Sequence, residues 1–398
     1  TGRGTRKGAS IMQNQSPEES QVDRAVAQRL AVLRRKIDSV DGRLIDLLGE
    51  RQAAVAEVVA LKREHNLPVY HPAREENLIS ERRARAAAAN VDPQFVEDIY
   101  RAVLRQSRIA QTAQIAKRAV RPGATVLLVG GRGAMGRYLE RWFAGAGYNV
   151  RLLDREDWPE AGALCAGVDL ALVGVPIAFT EQVVARLAPF LGPDCVLADI
   201  TSVKQGPVQA MRAAHPGPVL GLHPLFGPAT TSMDKQLVVV VQGRDLPACQ
   251  WVIDQFAAWG CVIVPADPVA HDESMAVIQA LRHFATFAFG QFLYRKRIDL
   301  HGTLEYSSPI YRLELGMVGR LFAQNAALYA SIILSIPERR GLLKEFVRSL
   351  QDNLPMLEKG DEAAFCEEFA KIADWFGSFG DQALRESTYL IEKLIERF

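Results

Sequence analysis

The sequence predicts a multidomain chain of three parts in series: an all-α three-helix domain, a doubly wound α/β domain around a mostly parallel sheet, and a second all-α domain. Two observations carry this. Apolar residues recur at helical spacing from Val22 to about Lys117 and again after Asp267, whereas short β-rich runs alternate with helical patterns between Thr125 and Asp267. At 398 residues, 48% of them hydrophobic, the chain has enough apolar material for two or three cores.

Residues 1–21 are basic and then polar without an apolar run, and are expected to be a disordered tail or cloning remnant, not a signal peptide. From Val22 to His65 the apolar positions Leu30, Leu33, Ile37, Val40, Leu44, Leu47, Leu48, Val55, Val58, Val59 and Leu61 follow one helix. Forty-four residues at about 1.5 Å each make about 65 Å, longer than a compact domain of about 100 residues is wide, so the stripe is expected to continue against a second chain. Asn66 and Pro68 stop it; further helices are expected over Ala73–Ala89 and, opened by Asp92-Pro93, to Lys117. This first domain spans 22–118, and Arg121-Pro122-Gly123 reads as a linker.

In the second domain, 123–267, strands are predicted at Thr125–Val129, Asn149–Leu153, Leu170–Val173, Cys195–Asp199, Val219–Gly221, Leu237–Val241 and Cys261–Val264. The third, 268–398, is helical over Val269–Arg297, Tyr311–Ser335, Pro337–Glu358 and Asp361–Phe398.

A formal net charge of +1 argues against nucleic acid or a membrane surface as partner, and no run of uncharged apolar residues is long enough to span a bilayer. Cys165, Cys195, Cys249, Cys261 and Cys366 are scattered without CxxC spacing, which points to reduced thiols in a cytoplasmic protein and to no metal site.

Gly131-Arg132-Gly133-Ala134-Met135-Gly136 follows the first predicted strand, and Asp154 closes the second. A strand-to-helix turn needs glycines where side chains would block a pyrophosphate, and the helix N-terminus offers free N–H groups to it. A carboxylate after the next strand accepts ribose hydroxyls and repels a 2′-phosphate. The domain therefore reads as Rossmann-type, binding NAD in preference to NADP, although Arg155 leaves NADP open.

Asp199-Ile-Thr-Ser202-Val-Lys204 and Gly221-Leu-His223-Pro-Leu-Phe-Gly227 both follow strands, at the carboxyl edge where ligands of open α/β sheets bind. His223, beside a nicotinamide, could take the proton of a substrate hydroxyl, with Ser202 holding its second nitrogen; the plain alternative is a surface histidine. In the last third, Arg312 and Arg320 are eight residues apart and share a helix face, suited to a dicarboxylate or, for Arg312, to an ion pair with Glu314 or Glu305. His271 and Arg282 accompany them, and His283 reads as a core histidine. On the first helix Arg51 and Lys62 share a face, while Arg34 lies about 25 Å from Arg51, within reach of the same ligand only from an antiparallel partner. Arg74, Glu75, Ser107 and Gln111 could line that pocket; a solvated charged face is the alternative.

Leu33-Arg34-x-x-Ile37-Asp38-x-x-Asp41, Glu50-Arg51, Glu57-x-x-x-x-Lys62, Pro72-x-Arg74-Glu75 and Ser107-x-x-x-Gln111 resemble the all-helical chorismate mutases. GGRGAMG, VPIAFTEQVV, DITSVK, GLHPLFGP, QALRHFATFA and SSPIYRLELGMVGRLFAQ resemble prephenate dehydrogenases, and their order resembles the bifunctional chorismate mutase/prephenate dehydrogenase family of tyrosine biosynthesis. The resemblance implies that Arg34 of a partner chain and Arg51 bind chorismate carboxylates, that Lys62 and Gln111 meet the ether oxygen, and that Ser107 and Glu75 hold the second carboxylate and ring hydroxyl. His71 stands where stand-alone relatives usually carry Asp, which puts that hydroxyl contact in question. For the second reaction it implies His223 as proton acceptor, Ser202 as its orienter, and Lys204 near nicotinamide and substrate. Arg320, with Arg312 and His271, would bind prephenate carboxylates. It further implies a homodimer with shared mutase sites, NAD as cofactor, and tyrosine as feedback inhibitor. The alternatives are a mutase fused to an arogenate dehydrogenase, or a catalytically silent regulator that binds NAD and tyrosine.

Overall fold

The computed structural model describes residues 17–64, 72–115, 118–334 and 336–395, and divides into two compact units, the first ending at Ile115 and the second starting at Ala116. The first unit holds α1 (Pro17–Glu64), α2 (Pro72–Ala88) and α3 (Pro93–Ile115). Helix α1 has 48 residues, so it runs about 72 Å. Its lower part packs on α3 and buries Val59, but Leu30, Leu33, Ile37, Val40, Leu44, Leu47 and Leu48 are each 45–58% exposed. A stripe of that length left in water is costly and marks a face built for another surface. Glu97 on α3 accepts from Arg83 on α2 and from Arg101, pinning α2 to α3.

In the second unit seven strands, β1 (Thr125–Val129), β2 (Asn149–Leu153), β3 (Leu170–Val173), β4 (Val196–Asp199), β5 (Val219–Pro224), β6 (Leu237–Arg244) and β7 (Val262–Ala266), form one sheet in the order β2-β1-β3-β4-β5-β6-β7. Every neighbouring pair is parallel except β5 with β6. Strand residues alternate between two cores. Val126 and Leu128 of β1 join Phe143 of α4 (Ala134–Ala146), while Leu127 and Val129 join Ala161 and Cys165 of α5 (Ala161–Cys165) and Val184 of α6 (Thr180–Leu187). Met211 of α7 (Gln205–Ala214) lies on the α6 side, and Phe256 of α8 (Leu246–Ala258) on the α4 side. Strand β5 runs past the predicted Gly221 because β6 pairs with its extension, His223 opposite Val239 and Pro224 opposite Val238. His223 therefore sits in a strand and not in a loop.

After β7 the chain is helical, but shorter in its pieces than predicted. Helix α9 (Pro268–Met275), capped by the Asp267 carboxylate, passes through a π turn over Ala276–Leu281 into α10 (Arg282–Arg295). The short α11 (Leu300–Glu305) precedes α12 (Pro309–Phe322) and α13 (Ala326–Leu334), which meet at a 100° bend where Asn325 caps Ala327 and Leu328. Asn353 and Pro355 separate α14 (Pro337–Asp352) from α15 (Leu354–Lys359), and Gly377, at φ +49°, separates α16 (Glu362–Phe376) from α17 (Ser378–Ile395). Among the described residues no single helix is long and apolar enough to cross a membrane.

Candidate active sites

The glycine turn after β1 is built by close backbone approach. A Cβ on Gly136 would lie 2.4 Å from Gly131 O and 2.6 Å from Gly130 O, and Gly130 itself has φ +81°. Helix α4 opens without a side-chain cap, so its first N–H groups face outward. A cleft of about 410 Å³ starts at Gly130 and Gly133 and runs past Asp154, Arg155, Trp158 and Arg186, whose guanidinium stacks 4.0 Å over the Trp158 ring. Asp154 Oδ2 accepts the Arg132 N–H at 2.9 Å, which fixes the carboxylate at the cleft. The Arg132 guanidinium clasps Asp157 at 2.6 and 3.1 Å. Glycine cradle, uncapped helix and edge carboxylate together fit a dinucleotide.

At the carboxyl edge of β4 and β5 lies a chain of buried polar groups. Asp272 on α9 caps α7, accepting Lys204 N–H (2.8 Å) and Gln205 N–H (3.0 Å), and also meets His271 Nδ1 at 2.8 Å. Burial works against its charge, but the bonds from His271, Gln205 and Lys204 outweigh that and hold the carboxyl below its ordinary range. His271 Nε2 lies 2.9 Å from His223 Nδ1. Because a carboxylate only accepts, His271 carries its proton on Nδ1 and accepts on Nε2. His223 must then carry its proton on Nδ1, which leaves Nε2 as the accepting nitrogen. Burial, then the neighbouring Lys204, His271 and Arg339, push the His223 pKa down to about 2, so the imidazole is neutral. Gln279, on the π turn, brings its Nε2 to 3.3 Å from His223 Nε2.

Three sequence expectations change here. The structure gives the His223 Nδ1 contact to His271 and not to Ser202. His271, expected to bind a carboxylate, has both ring nitrogens committed to Asp272 and His223. Lys204 does not reach the open edge: it is fully buried, its stem crossing the bare face of Gly221, and its Nζ donates to Asp199 at 2.5 Å and to Leu222 O at 2.6 Å. Arg312 Nη2 donates to Leu304 O at 2.5 Å, and Arg320 is exposed on the same helix. Asp272 and Gln279 were not foreseen. The adjacency of Asp272 to His271 was the one available signal, whereas Gln279 depends on a π turn that periodicity does not reveal.

In the helical unit Arg51 donates to Ser107 Oγ at 2.6 Å, and Ser107 donates in turn to Val103 O, so the guanidinium is fixed beside a buried hydroxyl. Glu75 is brought near as expected, but its carboxylate is clasped at 2.7 and 2.8 Å by Arg108, a buried residue the sequence did not single out. Arg34 and Arg74 are exposed. The side chains of Lys62 and Gln111, and all of His71, lie outside the described residues.

Three family models match along the chain: chorismate mutase type II over 33–112, the prephenate dehydrogenase nucleotide-binding domain over 146–273 and the prephenate dehydrogenase dimerization domain over 267–371. The T-protein of Enterobacter agglomerans is 46% identical over 362 residues, 91% of this chain and 97% of that protein. The chain belongs to the T-protein family. T-proteins are bifunctional chorismate mutase/prephenate dehydrogenases, and both domains are present here. The T-protein of Haemophilus influenzae is 40% identical over 367 residues, 92% of this chain and 97% of that protein. A prephenate dehydrogenase of A. aeolicus, solved with hydroxyphenyl propionate and NAD+, shares the fold at a TM-score of 0.51 and 17% identity, covering 63% of this chain and 96% of that one. The nucleotide-binding match starts downstream of the glycine turn, so the cradle rests on its own geometry.

Proposed function

We propose that the helical unit rearranges chorismate to prephenate and that the sheet unit converts prephenate to 4-hydroxyphenylpyruvate with NAD, His223 being the proton acceptor. The carrying observation is the Asp272–His271–His223 chain, which ends in a neutral Nε2 at the carboxyl edge of the sheet. NAD, when bound, supplies the hydride acceptor. The protein holds the substrate hydroxyl against Nε2 and takes its proton as the ring carboxylate leaves as carbon dioxide and the ring becomes aromatic. Asn at position 223 is expected to cut prephenate-dependent NADH formation by about 10² to 10⁴ while chorismate is still consumed at the normal rate. Unchanged NADH formation in His223→Asn removes the imidazole from the mechanism.

For the mutase, Arg51 held by Ser107, Lys62 and Gln111 grip one chorismate, and Arg34 reaches it from a second chain. The rearrangement is intramolecular, so its rate comes from holding the folded conformer and from countering charge on the ether oxygen. The bare apolar stripe of α1 around Arg34 supports a dimer built along this helix. Arg34→Ala and Lys62→Ala proteins, each inactive as mutase, should recover about a quarter of the sites when mixed and fully exchanged, because half the dimers are mixed and each has one intact site. Heterodimers seen by mass measurement without recovered activity refute the shared site. We further propose that the enzyme works in the cytoplasm and that tyrosine inhibits the dehydrogenase, which a tyrosine titration of NADH formation checks.

A further inference from the structure

A guanidinium keeps its charge at every pH a protein meets, so one taken out of water requires an anion or a full set of acceptors. Arg339, near the start of α14, is 1% exposed. Its Nη1 donates to Ile332 O at 3.1 Å, while Nε and Nη2 are buried with no partner among the described residues. Those two atoms form one side of the planar fork, the pair that meets both oxygens of a carboxylate. Helix α14 packs against the π turn that carries Gln279, whose Oε1 is also buried and unpartnered and whose Nε2 lies beside His223. The Arg339 charge is felt at His223 and at Asp272. No hydrogen bond joins Asp272 to the Nε or Nη2 of Arg339; its oxygens accept from His271, Lys204 and Gln205. Beside the turn that carries Gln279 there is thus a desolvated cation whose two-donor fork has no partner among the described residues.

We propose that Arg339 binds the substrate carboxylate that remains on the product. This rests on reading the site as a prephenate dehydrogenase, whose substrate carries two carboxylates. The ring carboxylate leaves by sending its electrons into the ring, and a guanidinium gripping it would stabilise the ground state more than the transition state. The side-chain carboxylate keeps its charge throughout, so a clamp on it strengthens ground and transition states equally and acts on KM.

The test uses the full chain with Arg339→Gln and Arg339→Lys. NADH formation is read at 340 nm against prephenate, and 3-(4-hydroxyphenyl)propionate serves as competitive probe because it has a side-chain carboxylate and no ring carboxylate. In Arg339→Gln the KM for prephenate and the Ki of the probe should rise together by about 10- to 100-fold, with kcat within about threefold. Arg339→Lys, which keeps the charge but not the fork, should recover part of both. Mutase turnover and thermal melting of the same samples report the fold. Unchanged KM and Ki, a fall in kcat alone, or a rise in KM without a rise in Ki overturns the assignment. Wild-type protein that fails to reduce NAD with prephenate would refute the function of the site instead.

Discussion

Replacing His271 with leucine removes the acceptor that keeps the His223 proton on Nδ1, without placing a new polar group in the cavity. The bond lost is 2.9 Å long and lies between two residues that are each 4% exposed. A buried hydrogen bond whose partner is deleted costs about 1–3 kcal/mol. If that energy is what orients the base, kcat should fall between about fivefold and about 150-fold. The loss is larger if the proton moves to Nε2, where the imidazole can no longer act as a base. His271→Gln offers an amide oxygen near the former Nε2 and should recover much of the turnover, since Asp272 stays anchored by the Lys204 and Gln205 N–H groups. Initial rates at 340 nm with saturating prephenate and NAD measure this, with mutase turnover as internal control. A His271→Leu enzyme within about twofold of wild type, or a glutamine variant no faster than the leucine one, refutes the idea that this chain sets the tautomer.

Gly136→Ala should abolish dinucleotide binding, measured by calorimetry with NAD, because its Cβ would stand 2.4 Å from a backbone oxygen of the glycine turn; wild-type affinity would show that the turn can shift. Lys204→Met leaves the Asp199 charge uncompensated in a pair that is fully buried on both sides, so denaturant unfolding should show a loss of about 3–5 kcal/mol, and a change under about 1 kcal/mol would contradict a structural role. His223 and His283 have pKa values lowered by burial to about 2 and about 4, against about 6.5 unfolded, so unfolding takes up protons in acid. The stability they preserve is full above pH 6.5 and is lost as pH falls toward those values, about 2 kcal/mol each by pH 5. Melting of the second unit should track this, and a pH-independent melting temperature between 7 and 5 would rule it out.

Much of the fold is local and legible in the sequence. Short apolar runs mark β1 to β4 within a residue of their ends; β1, β3 and β4 are nearly continuous runs because both their faces are buried. The glycine turn and Asp154 are equally plain, because the backbone geometry they require excludes other residues. Helix breaks at Asn325, Asn353 and Gly377 were harder, as the apolar period continues across each of them.

Sequence alone marks the glycine turn, His223 and Arg51 as candidates, because those residue types in that spacing suit the chemistry. Their partners, Asp272, Gln279 and Arg108 among them, come from tertiary packing. His223 and His271 stand 48 positions apart and join because α9 is anchored by Asp272 on the first N–H groups of α7, beside the end of β5. Lys204, which reads as a ligand contact, turns inward because Gly221 leaves room for its stem and Asp199 supplies the counter-charge. Arg339 carries no motif at all, and its open fork appears only once α14 is packed on the π turn. Local sequence sets backbone geometry and residue chemistry, whereas burial, proton position and charge pairing depend on neighbours distant along the chain.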